Sequence, residues 1–327
     1  MYFKWDGDYN DGYRGGTMKK LLTIILLLIA TSLTAGWKWE QLETNNAPVI
    51  EGFWHLAYDP STEKIILVFR KDDYLSYDTW TFDGVNWEHV CTEAREYCSN
   101  EFTDGLVYDE NLGSMTDYCL CKFSQWSSGI IAFRQGENYC WVPGFDLEGA
   151  GILNIAFDSI RKRTVILGAI PDWLAVIEFD GGNFSYTTLS DWEIPTGYMT
   201  FDEARKRTIF LGHRSNVIIS DTMEWDGAAW EKVDAPLPDE LSQSNMGPLA
   251  YFPKAQGTVS VVPIKATLLY KNQKWKMLLG ADETPGAGAL VYSPPLDGVL
   301  GFSVTLGQPV TTYLLTYTRQ HLRPFNK

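Results

Sequence analysis

Four tryptophans, Trp54, Trp126, Trp173 and Trp192, offer the chemistry that most invites a ligand. An indole presents a broad apolar face with one polar edge, suited to stacking on a sugar ring or gripping a peptide. The alternative is that these rings only lid a channel. Charged residues stand near them in the expected arrangement: Arg70, Lys71, Asp72 and Asp73 after one strand, and His213 with Arg214 after another. An arginine there can pair in bidentate fashion with a ligand carboxylate. The plainer reading is a solvated loop.

Other chemistries lack their parts. The histidines are His55, His89, His213 and His321, and no two share the spacing of a metal pair, so no metal is expected. No nucleophile elbow and no phosphate-cradling loop is present, and no cofactor and no catalytic residue is assigned. The five cysteines, Cys91, Cys98, Cys119, Cys121 and Cys140, crowd one stretch of the chain. In an oxidising compartment such a cluster reads first as disulfides. Cys91 and Cys98 bracket a short loop; Cys119 or Cys121, two residues apart on one strand, is the candidate partner of Cys140. A cysteine-rich metal site is the sharper alternative.

What must position these residues is a repeat. Two small or apolar residues, an aromatic and usually Asp recur as Leu56-Ala57-Tyr58-Asp59, Leu106-Val107-Tyr108-Asp109, Ile155-Ala156-Phe157-Asp158 and Met199-Thr200-Phe201-Asp202, with weaker copies at Tyr251 and Tyr292. The aromatics are 50, 49, 44, 50 and 41 residues apart, the period of a propeller blade. Each unit continues with an apolar run such as Ile65 to Phe69. Next comes an Asp-Gly pair between short alternating segments, as in Phe82-Asp83-Gly84 and Trp225-Asp226-Gly227. Asp-Gly in that setting signals a tight hairpin, and four strands per unit follow.

The ends of the chain complete the count. The sixth unit stops after Tyr313 to Tyr317 and lacks a fourth strand, while Trp39-Glu40-Gln41-Leu42 stands alone ahead of the first unit and matches Trp87-Glu88-His89-Val90. The expectation is an all-β, six-bladed β-propeller of four-stranded blades, in which residues 37–42 complete the last blade and remove its exposed edges. Trp39, Trp80, Trp87, Trp225, Trp230 and Trp275 then fill repeat positions between blades. Trp54, Trp126, Trp173 and Trp192 fill none, and they fall where loops gather at one face.

Upstream, Met18-Lys19-Lys20 precedes an almost wholly apolar stretch from Leu21 to Leu33, followed by Thr34-Ala35-Gly36. That pattern is a signal peptide over residues 18–35, with an uncleaved anchor as the alternative; an apolar run of roughly 13 residues is short for a bilayer. Residues 1–17 read as an upstream extension, with translation expected to start at Met18. Residues 36–327 are expected to form one domain, exported to the periplasm or the outside, with no stable membrane span after cleavage. The formal charge of −14 and pI near 4.7 repel a phosphate backbone, so nucleic acid is excluded as a partner.

Residues 78–87, Asp-Thr-Trp-Thr-Phe-Asp-Gly-Val-Asn-Trp, resemble the kelch repeats of bacterial proteins, and the likeness extends over nearly all of residues 36–327. The double glycine of that motif is reduced here to Gly168-Ala169 and Gly212-His213. The resemblance implies a propeller without implying an activity. Kelch enzymes of the galactose oxidase type need a copper site of His and Tyr with a cross-linked Cys, and no such set is present. Sialidase boxes are absent as well. The expected function is therefore a binding module for a protein, peptide or glycan at the loop-bearing face. Alternatives are a carbohydrate-active enzyme, for which the exported sialic-acid epimerases supply the architectural parallel, and a structural envelope protein.

Overall fold

The structure is a computed structural model. It describes residues 36–50, 52–71, 76–94, 105–124, 127–134, 137–141, 151–170, 173–189, 195–214, 220–241 and 247–317. Residues Lys38–Thr316 form one compact unit, and Trp37 and Tyr317 belong to a second. Among the described residues of the second unit, the rings of Trp37 and Tyr317 lie with centroids 5.0 Å apart. The expected upstream extension and signal peptide, residues 1–35, lie outside the described residues.

The first strand is β1 (Trp37–Gln41). Sheet I contains β2 (Trp54–Asp59), β3 (Lys64–Arg70), β4 (Ser76–Phe82) and β5 (Trp87–Ala94). Sheet II contains β6 (Gly105–Asp109), β7 (Ser114–Ser124), β8 (Ser127–Arg134) and β9 (Glu137–Trp141). Sheet III contains β10 (Gly151–Asp158), β11 (Arg163–Ile170), β12 (Trp173–Phe179) and β13 (Phe184–Leu189). Sheet IV contains β14 (Pro195–Asp202), β15 (Arg207–Arg214), β16 (Ser220–Trp225) and β17 (Trp230–Val233). Sheet V contains β18 (Leu249–Phe252), β19 (Gly257–Val262), β20 (Ala266–Lys271) and β21 (Lys274–Leu279). Sheet VI contains β22 (Ala289–Ser293), β23 (Gly298–Ser303) and β24 (Thr311–Tyr317), and takes β1 as its outer strand.

Among the described residues these are six four-stranded sheets, and the architecture is an all-β propeller. The inner strands meet in cyclic order: β2 beside β6, then β10, β14, β18 and β22, which returns to β2. The ring is closed through β1. Leu42 donates its N–H to the Thr312 carbonyl, and the Trp39 indole donates to Thr267 Oγ1 at 2.8 Å, so the outer strand of sheet VI is also fastened to sheet V. Just beyond it, Asn45 exchanges backbone bonds with Val85 and Trp87 of sheet I.

Packing occurs between sheets, which is why the second strands read as nearly unbroken apolar runs. Every residue of β19 is buried. Ile65, Leu67, Phe82 and Trp87 share one cluster with Leu300 and Phe302 across the joint of sheets I and VI. Tyr118 joins Ile166, Ile177 and Phe179 between sheets II and III, and Val165, Leu167 and Val176 meet Phe210, Met223 and Trp225 between sheets III and IV. The repeat-slot rings therefore act as core, as rings of this size do when two pleated faces close on them.

The recurrent Asp of the repeat has a local task. It ends the inner strands of sheets I to IV and turns its carboxylate back onto the following turn. Asp59 Oδ1 accepts from the Ser61 N–H, Asp109 Oδ1 from the Asn111 N–H, Asp158 Oδ1 from Ile160 and Arg161, and Asp202 Oδ1 from Arg205. Its second oxygen can reach the next sheet: Asp109 Oδ2 accepts from Thr164, and Asp202 Oδ2 from Thr258. The Asp-Gly hairpins work in the same way. Asp83, Asp180 and Asp226 each accept two backbone N–H bonds, while Gly84, Gly181 and Gly227 take φ of 102°, 89° and 101°. In sheet V the corresponding turn is shorter, Asn272-Gln273 between paired Lys271 and Lys274, both at positive φ, the geometry a two-residue hairpin demands.

Between the sheets, register aligns one further set of three positions: the third residue after the end of the inner strand, a residue of the third strand, and an aromatic or apolar residue on the third strand of the next sheet. From sheet III to IV the set is Arg161, Glu178 and Trp225; Arg161 pairs with Glu178 at 2.7 Å, and the Trp225 indole donates to the same oxygen at 2.8 Å. From sheet IV to V it is Arg205, Glu224 and Tyr270, with the ion pair at 2.5 Å, the phenol donating to Glu224 at 2.6 Å and the guanidinium 5.0 Å from the ring centre. From sheet VI to I the set is Leu296, Leu314 and Phe82, which pack in one apolar cluster. One geometric slot is thus filled by either an ionic or an apolar set.

Candidate functional site: the loop-bearing end of the sheets

Antiparallel order places the start of each inner strand, the end of the second and the start of the third at one end of every sheet. Loops of variable length emerge there, and the candidate residues are distributed along it. Trp54 opens β2 opposite Phe69, and Arg70 closes β3 opposite Tyr77. Trp173 opens β12 opposite Ile170, while His213 and Arg214 close β15 opposite Thr196 and Pro195. Backbone register thus brings these five positions to a common end. Trp126 and Trp192 lie outside the described residues.

The best-formed part of this end is built on sheet I, and it contains a residue that the repeat analysis passed over. Phe53 immediately precedes β2, accepts the Arg70 N–H at 2.9 Å through its carbonyl, and is 63% exposed. The Arg70 guanidinium lies 5.2 Å from the centre of the Phe53 ring, yet Arg70 itself is 8% exposed. The cation therefore backs one face of an aromatic whose remainder stands in solvent. Gly52 permits the approach, because a Cβ there would lie 2.5 Å from the Arg70 carbonyl oxygen. The only sequence signal for Phe53 is its place beside a tryptophan outside the repeat.

Trp54 is half-buried and belongs to the apolar cluster shared by sheets I and VI. Counted back from Tyr58, it occupies the position that is Gly197, Gly247 and Gly288 in sheets IV, V and VI. Its ring packs over Gly288, at 3.4 Å from where a Cβ would stand. A Cβ at Gly288 would stand in ordinary van der Waals contact with that ring. Trp54 anchors the Phe53 segment from beneath as much as it faces outward.

Further apolar side chains project at this end. Ile264, in the turn between β19 and β20, is 72% exposed with φ of 59°, an unusual conformation for a β-branched residue. Leu306, between β23 and β24, is 70% exposed. On the outer strands of sheet I, Asp78 accepts a 2.5 Å bond from Thr92 and lies 3.7 Å from Lys71 and 3.6 Å from His89. Among the described residues, no group of three or more His, Cys, Asp or Glu could hold a metal ion.

Of the cysteines, Cys91 lies on β5 opposite Thr79, and its expected partner Cys98 lies outside the described residues. Cys119 and Cys140 both register with Ile131, one from each side of β8, and Cys121 registers with Gly129. Two strand spacings, roughly 10 Å between Cα atoms, separate Cys119 from Cys140. A disulfide spans at most about 7 Å, so a bridge between them would require the strands to move.

No family model matches the chain, and no curated protein sequence matches it either. Its likeness is to solved structures and rests in the fold. AofleA from Arthrobotrys oligospora superposes with a TM-score of 0.51 at 11% identity, over 88% of this chain and 84% of that one. SapL1, a lectin solved with alpha methyl fucoside, gives 0.53 at 9% identity, over 85% and 98%. The hydrazine synthase of Kuenenia stuttgartiensis gives 0.50 at 12% identity, over 81% and 83%. At these identities the fold is what is shared.

Proposed function

We propose that this chain is a carbohydrate-binding module that holds a glycan at the loop-bearing end of its sheets. The six sheets are read as the six blades of one ring, the repeats as degenerate kelch units, and residues 18–35 as the signal that exports the domain to the periplasm or beyond. The observation that carries the reading is the Phe53 platform. An exposed ring held from behind by a buried guanidinium is pre-ordered, so stacking a sugar on it costs little conformational freedom. The fold's likeness to a lectin solved with a fucoside supports the reading by analogy.

The test is a glycan array probed with residues 36–327 and with the Phe53→Ala variant. Wild type is expected to retain a defined set of glycans, with α-methyl fucoside included as a probe. The variant should weaken that binding roughly tenfold, the worth of one lost aromatic stack. Its melting temperature should be unchanged, because Phe53 is exposed. Binding that is absent in wild type, or equal in the variant, overturns the assignment. Conversion of a bound glycan into a new product would move the reading to a carbohydrate-active enzyme.

A further inference from the structure

Beside the Phe53 platform lies a strip of bare backbone where the fold would admit side chains. Residues Thr284 to Val291, which lead into β22 and through its start, carry no charge, and Gly286-Ala287-Gly288 stands among them. Both glycines are exposed, while Ala287 is fully buried. Neither glycine has a positive φ that would demand it. A Cβ would lie 3.6 Å from Ile264 at Gly286 and 3.4 Å from Trp54 at Gly288, ordinary contacts in both cases. Alanine at either position would leave the unfolded chain less freedom and so favour the fold. The bare surface therefore answers no need of the fold itself.

Two walls flank the strip. Trp54 of sheet I stands at its Gly288 end and Ile264 of sheet V at its Gly286 end, and sheet VI lies between those two sheets in the ring. Two residues of chain span at most roughly 7 Å, so the slot admits one sugar ring edge or a substituent on it. The Ile264 wall is held under strain. Lys265 donates its N–H to the Val262 carbonyl at 3.0 Å to close a turn, Pro263 takes its first corner, and Ile264 takes the second with φ of 59°. That corner suits glycine or asparagine, and a β-branched side chain is out of place there. At 72% exposure, Ile264 recovers little of this cost by packing on its own chain. Strained residues of this kind gather at ligand sites.

We propose that this slot is a second subsite of the glycan site and takes a methyl-bearing sugar, its methyl group set between Ile264 and Trp54 over the backbone of Gly286 and Gly288. The assignment rests on the glycan reading above and adds the class of sugar. Phe53 and Trp54 are successive residues, so platform and slot lie on either side of one stretch of backbone, and a glycan stacked on Phe53 reaches the slot with its next residue. The methyl group belongs to a 6-deoxy sugar or to an acetamido group; the chemistry at the slot is the same. Walls and floor offer apolar surface and no ionised group. A methyl group gains there by leaving water, whereas a hydroxymethyl group would be desolvated without a partner. Glu283 before the strip and Lys265 beyond Ile264 are the nearest charges in sequence, and they are of opposite sign.

Titration of residues 36–327 with matched sugars tests this: N,N′-diacetylchitobiose against cellobiose, L-rhamnose against L-mannose, and glucuronate. In at least one pair the methyl-bearing member should bind about tenfold more tightly. Two variants should bring that ratio close to one. Ile264→Gly removes a wall, and Gly286→Ala with Gly288→Ala fills the slot with methyl groups of the chain's own. Both should melt no lower than wild type, because glycine accepts φ of 59° and the two alanines meet only ordinary contacts. Phe53→Ala should weaken both members of a pair alike and leave the ratio standing. No methyl preference in either pair, tighter binding of glucuronate, or a preference that survives both variants overturns the slot. Failure to bind any of the five sugars overturns it too, and the glycan array then decides the Phe53 platform separately.

Discussion

Glu224 has to satisfy two partners at once. It lies 3% exposed at its side chain, accepts the Tyr270 phenol and balances Arg205. Removing it strands a half-buried cation and a buried hydroxyl, so Glu224→Ala should cost about 3 kcal/mol in denaturant unfolding. The apolar set Leu296, Leu314 and Phe82 shows what the same slot accepts in place of charge. The combined change Arg205→Leu, Glu224→Leu and Tyr270→Phe should therefore recover most of that loss. Two aspartates should respond to pH with opposite signs. Burial lifts the Asp202 carboxyl above the ordinary range, against the pull of bonds from Arg205 and Thr258. A raised folded value favours the fold at acid pH, and that advantage is lost as pH rises through it. Asp202→Asn should thus stabilise the protein near neutrality and bring little change in acid. Asp226 is held low by the Ala229 and Ala228 N–H groups, so its contribution is present above about pH 4 and lost as pH falls below. Asp226→Asn should weaken the protein near neutrality and make no difference in strong acid; urea midpoints at both extremes decide each case.

At the scale of the element, the hairpins are the places where backbone and side chain cannot be exchanged freely. Gly227 sits at φ of 101°, and a Cβ there would collide with the Arg161 guanidinium that pairs with Glu178. Gly227→Ala should cost about 1–3 kcal/mol, with the loss reduced when Arg161 is also shortened, since the two effects share a partner. Much of this layer was legible in the sequence. Asp-Gly followed by Trp at fixed distance marks hairpins that the structure contains, and the apolar runs mark the second strands. The Asp of Tyr58-Asp59 was legible as a repeat marker, though its reach to the next sheet was not, because Asp109 meets Thr164 across 55 positions of chain. Phe53 escaped for a related reason. Its significance comes from Arg70, which tertiary pairing sets beneath it, and nothing in the local pattern distinguishes it from any loop aromatic. The tryptophans outside the repeat were legible as exceptions, yet Trp54 packs against Gly288, a contact visible only once sheets I and VI are seen to adjoin.

For the whole molecule, closure through β1 is the feature on which the rest depends. Trp39 contributes an indole bond to Thr267, and Trp39→Phe, which leaves a smaller ring and deletes the donor, should cost about 1 kcal/mol for the lost bond and more for the lost packing on Gly301. Deleting residues 37–42 should do far more: it uncovers the edge of β24 and parts sheet VI from its fastening on sheet V. Light scattering is expected to show such a variant self-associating while wild type at the same concentration does not. The same closure also imposes an order in time. Of the described strands, the one made first, β1, has its sheet partner in the one made last, β24. No intermediate length of the chain can satisfy it, and contacts this distant in sequence form slowly. Until the final residues of β24 emerge, a nascent chain carries its closing strand unpaired, a window in which a chaperone would govern yield more than equilibrium stability does.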